Sequence, residues 1–127
     1  MVEEFIGFDC EFVVWRAGRR YVLGRGKEVY MKRFGPEESG GKPPIRGVIS
    51  GLELDVNAAR ECFGDEFEGL ASQRVGFEMV VTLEIVGSED YVDARVLEAK
   101  TLKPLPWSKG GVVPTVAFTA SRMEQIG

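Results

Sequence analysis

Residues 7–12 read GFDCEF, and the alternation around them decides the fold class. Phe8, Cys10, Phe12 and Val14 fall on one side of an extended chain. Asp9, Glu11, Val13 and Trp15 fall on the other. A period of two over this length predicts a half-buried β-strand. Its apolar side is expected to build a core, and its carboxylates to face water.

Further strands are predicted on either side of one helical segment. AGRR at 17–20 reads as a turn, and YVLGRGKEVYMKRF at 21–34 as a second strand with glycines at Gly24 and Gly26. Glycines inside a strand mark a bulge or a bend. GPEESGGKPP at 35–44 is a polar loop, and VISGLELDV at 48–56 alternates again, with Val48, Leu52, Leu54 and Val56 on one face. Then the period changes. Ala59, Phe63, Phe67 and Leu70 are spaced four, four and three, which predicts a short helix over 57–72 with Asn57 as its N-cap.

FEMVVTLEI at 77–85 alternates clearly, and YVDARVLEAKTL at 91–102 reads as its hairpin partner, with a slip near Val96 and Leu97. After the breaker-rich KPLPWSKGG at 103–111, VVPTVAFTA at 112–120 reads as a last strand, with Pro114 pointing to an edge. The order is β-β-β-α-β-β plus an extra C-terminal strand. A small OB-like antiparallel barrel has its helix between the third and fourth strands. The alternative is an α+β sheet with one packed helix.

The chain has 127 residues, which predicts a single domain over 1–127. No run approaches the roughly 20 apolar residues of a membrane span. The start, MVEEFIG, is acidic and lacks the pattern of a signal peptide. A cytoplasmic location and no membrane partner are therefore expected. Cys10 and Cys62 read as buried free thiols. One asparagine, Asn57, and two glutamines, Gln73 and Gln125, stand among many charged residues, a thermophile-like bias.

There is no histidine. That excludes Ser–His–Asp triads, Cys–His dyads, imidazole bases and His–Cys zinc sites together. Carboxylate–metal chemistry, a carboxylate pair, or a lysine or tyrosine site remain. The stretch IGFDCEFV resembles the first motif of the metal-dependent exonucleases of the Asp/Glu family. The resemblance covers about six residues and implies a nuclease in which Asp9 and Glu11 hold cations. That family carries two further acidic motifs, the last with Tyr or His ahead of Asp on a helix. Here Tyr91 and Asp93 are two apart in a predicted strand. The strand pattern accounts for Asp9 and Glu11 as a solvated face, so no catalytic residue, metal or cofactor is assigned.

The net charge is -4, but it is unevenly distributed. Residues 16–46 carry nine basic against three acidic side chains, whereas residues 1–15 and 47–127 are both net acidic. Aromatic residues lie within and beside the basic window. Cations that meet phosphate and rings that stack on bases are what single-stranded nucleic-acid binding needs. The expected interface is Trp15, Arg16, Arg19, Arg20, Tyr21, Arg25, Lys27, Tyr30, Lys32, Arg33 and Phe34, on the first two strands and their turn. The expected function is non-enzymatic binding of single-stranded DNA or RNA. The alternative is a protein-interaction or structural subunit of a larger assembly, such as a viral one, docking through Trp107 or the acidic helix 57–72.

Overall fold

The computed structural model describes residues 2–72 and 79–126. Strand β1 (Val2–Arg16) turns through Ala17 and Gly18 into β2 (Arg19–Phe34). Both turn residues have positive φ, 51° and 76°. This is the two-residue hairpin geometry whose twist matches the flanking strands. The turn is therefore tighter than AGRR suggests, and both arginines already belong to β2. One helical turn, α1 (Pro36–Ser39), precedes β3 (Ile45–Leu54).

Next come α2 (Val56–Phe63), a 3₁₀ turn (Gly64–Glu66) and α3 (Phe67–Ser72). The cap of α2 is Asp55 rather than Asn57: its Oδ1 accepts from the Ala58 N–H at 2.9 Å. Gly64, at φ 55°, ends α2 and divides the expected helix in two. Ala59, Cys62, Phe67 and Leu70 are buried, while Phe63 is half-buried.

The remaining strands are β4 (Val81–Gly87), β5 (Asp93–Thr101), β6 (Gly111–Ala120) and β7 (Arg122–Ile126). Met79, Val81, Leu83 and Ile85 are buried as their alternation predicts, while Phe77 of the same pattern lies outside the described residues. The slip in β5 falls at Glu98, which has φ 55°.

Among the described residues, seven antiparallel strands make one mostly-β sheet, and six of them close into a ring in the order β1-β2-β3-β6-β5-β4. The ring is two three-stranded meanders, β1-β2-β3 and β4-β5-β6, joined by the helical segment. The expected C-terminal strand is the sixth stave, paired to β3 from Ile45↔Ala120 to Leu54↔Gly111. It is paired on both sides only near its C-terminal end; around Pro114 it has β3 alone as a ladder partner among the described residues, the edge position that Pro114 points to. β7, which carries no clear alternation, pairs with the outer part of β5.

One row crosses the first meander and β6 and bends them. Asp9, Lys27, Gly51 and Pro114 stand at aligned positions, and each ladder skips its pair there. Asp9 and Gly51 have positive φ, 50° and 65°, and Pro114 has no N–H to offer. Aligned irregularities of this kind turn a flat sheet into a barrel corner. The inward phase flips across the row. Phe5 and Gly7 point in before it, Cys10 and Phe12 after it. In β3, Ile45 and Ile49 give way to Leu52 and Leu54. Phe8 and Val48, which strict alternation puts inside, are therefore outward, and Phe8 is 44% exposed.

The core holds Cys10, Phe12, Leu23, Ile49, Leu52 and Leu83 without solvent contact. Trp107 is 2% exposed and packs edge-on to Phe12, ring centroids 6.4 Å apart. It fills the barrel, which corrects the expectation that it anchors a partner. Cys10 and Cys62 are free and buried. No helix among the described residues is long and apolar enough to cross a membrane.

Candidate nucleic-acid interface

The corner splits the expected interface into two regions. On the hairpin side, β1 and β2 present Trp15, Arg20, Glu11 and Arg25 outward, and β4 adds Glu84. Arg20 donates through Nε and Nη2 to Glu84 at 3.2 and 3.0 Å, and through Nη2 to Glu11 at 3.1 Å. Arg25 Nη1 donates to the other Glu11 oxygen at 2.7 Å. These two arginines and two glutamates form a neutral network. Its hydrogen bonds, first those to Glu84, hold the Arg20 pKa above its ordinary value.

Arg16 leans the other way, toward the helical segment. It donates to Glu66 at 3.1 and 3.4 Å and lies 5.0 Å over the Phe63 ring. Its pKa is raised, chiefly by the Glu66 hydrogen bond. Glu66 of the acidic segment is thus engaged within the chain. Tyr21 packs against the core beneath the Arg19 guanidinium, 4.9 Å from its ring centre. Trp15, opposite Arg20 in register, is 57% exposed.

On the body side of the corner, the outer face of β1, β2 and β3 carries a different surface. Tyr30 has Ile6 and Val48 as cross-strand neighbours, and Lys32 has Glu4 and Arg46. Tyr30, Lys32 and Phe34 share this face, as their spacing predicts. Tyr30 is 41% exposed, and its hydroxyl donates to Glu4 at 3.0 Å. Lys32 Nζ lies 6.0 Å from the Tyr30 ring centre, and the Arg46 guanidinium lies 4.4 Å over Phe34. Phe8, turned out by the Asp9 bulge, extends the apolar part toward exposed Val86. Arg33 is not on this face and pairs with Glu3. Lys27 stands on the corner row, its stem against Gly51, with no ion-pair partner among the described residues.

Sequence reasoning did not place Phe8 and Arg46 in the interface. Arg46 lies within the basic window and faces Lys32 across the ladder, a signal that register would have supplied. Phe8 depends on a bulge at an aspartate, a residue type that tolerates positive φ without demanding it.

Glu11, read in the nuclease resemblance as a metal ligand, is held by two guanidiniums. Among the described residues, no three or more His, Cys, Asp or Glu side chains are grouped to hold a metal ion. Comparison with protein-family models, curated proteins and solved structures finds no match to this chain.

Proposed function

We propose that this protein binds single-stranded DNA or RNA, without catalysing a reaction, on the outer face of β1, β2 and β3. The observation that carries the reading is the body-side surface. There, two outward rings, Tyr30 and Phe34, lie beside two cations, Lys32 and Arg46, on adjacent strands. Base stacking on such rings contributes roughly 1–3 kcal/mol per base and is indifferent to sequence. The two cations lie over the ring faces, from which they can turn aside for a stacking base and meet its phosphates. Lys27 and Trp15 extend the path toward the hairpin tip. The two free thiols fit a cytosolic setting.

The role of the basic window changes with this reading. Arg16, Arg20, Arg25 and Arg33 are paired with carboxylates, so they attract phosphate less than their number implies. Exposed ion pairs are individually weak, about 0–1 kcal/mol. A phosphate can compete for them, but it releases little net charge. The salt slope should therefore reflect two or three phosphate contacts rather than seven. Reversing Lys32 and Arg46 to glutamate should abolish binding of a labelled oligonucleotide in an anisotropy titration. Reversing Arg20 alone should weaken it only slightly. The opposite ranking would move the interface to the hairpin.

A second reading, a protein-interaction or structural subunit, is favoured by that same neutral hairpin. The acidic segment 57–72 keeps Glu61, Asp65 and Glu68 exposed for a basic partner. Under that reading the protein ignores oligonucleotides at low salt.

A further inference from the structure

The ring has a seam where one ladder stops early. β5 and β6 pair only at Lys100↔Thr119 and Thr101↔Phe118, followed by a last bond from the Leu102 N–H to the Ala117 carbonyl at 3.0 Å. Beyond it β5 leaves the sheet, through a segment with prolines at Pro104 and Pro106 that have no N–H to continue the ladder. β6 runs on for six more residues toward Gly111, paired to β3 alone.

The direction of its backbone follows from the period of two. The Ala117 carbonyl points to the β5 side, so the N–H and C=O groups of Thr115 point there too; beyond the phase flip at Pro114 it is exposed Val112, and not inward Val113, whose groups point there. Among the described residues, no backbone bond is recorded for them on that side. Side chains do not close the gap. A cavity of about 360 Å³ lies between this edge and the departing segment, walled by Leu102, Pro104, Leu105, Pro106 and Val116. Leu102 is 62% exposed and Lys103 stands at the rim.

We infer that this slot is a second binding site that takes an extended peptide segment, added as a strand to β6 where β5 departs. The occupant's backbone continues the β5–β6 ladder by bonding Thr115 and, past the irregularity at Pro114, Val112, whose edge groups specify another extended chain. Alternate apolar side chains fill the cavity over Leu102 and Val116. Lys103 selects for an acidic residue at the rim. The site lies across the ring from Tyr30, so it does not depend on nucleic-acid binding.

The test is selection of a displayed library of random linear 12-residue peptides on the purified protein. The expected winners alternate β-branched or aromatic residues and carry Asp or Glu. Their affinity should fall at least tenfold when the peptide is N-methylated at alternate bonds, a control that leaves the protein untouched. Thr115→Pro, which removes one edge donor, should lower it similarly, and Lys103→Glu should shift selection toward basic peptides. Tyr30→Ala should leave peptide affinity unchanged. No enrichment, binding insensitive to N-methylation, or a self-associated protein whose slot is filled by a second copy would each overturn the inference.

Discussion

Asp9, Lys27, Gly51 and Pro114 fit their common row for different reasons. Gly51 adopts φ 65° without cost, whereas an L-residue there carries roughly 1–2 kcal/mol of strain. Gly51→Ala should therefore lower stability by about that amount in urea denaturation, with the buried core unchanged. Pro114 stands where the β3 ladder skips a pair and β5 no longer accompanies β6, so no ladder N–H is called for on either side. At the core, burial pushes the Cys10 thiol from 9.0 up to about 12, with Glu11 adding to the effect. The folded state favours the neutral thiol. The stability this supports is complete below about pH 9 and is lost as pH rises toward 12. Iodoacetamide should label Cys10 in urea at pH 8 but not in the native protein. Rapid native labelling would contradict its burial.

Among the elements, the β1–β2 hairpin is the one most exposed to sequence change. Ala17 holds φ 51° in its turn, a conformation that asparagine accepts more readily. Ala17→Asn should stabilise the protein by about 0.5–1 kcal/mol, read as a shift of the thermal midpoint, with no loss of any binding activity. The first six strands and the helix between the third and fourth were legible in alternation and period, whereas β7, which has no clear alternation, was not. The faces were legible only between bulges. Tyr30, Lys32 and Phe34 lie beyond the corner row and keep their predicted side, while Phe8, adjacent to it, does not. The helix cap moved from Asn57 to Asp55 because both residue types cap well, and only the last turn of β3 decides between them.

At the scale of the whole molecule, ring closure is what local patterns could not reveal. β6 pairs with β3 across some sixty residues of chain, and no motif announces that contact. The same distance hides the charge pairing. Glu84 lies 64 residues from Arg20, and Glu66 lies 50 from Arg16. A count of cations therefore overstated the hairpin, while the pairing left Lys32 and Arg46 beside the rings. Binding on this face depends on those rings. The most direct measurement is fluorescence anisotropy of labelled single-stranded DNA and RNA, titrated with the native protein and the Tyr30→Ala/Phe34→Ala variant at low and moderate salt. The account predicts salt-sensitive binding of intact strands, weakened at least tenfold in the variant, whose fold is unchanged because both side chains are outward. No binding at low salt, or equal binding by the variant, would contradict it.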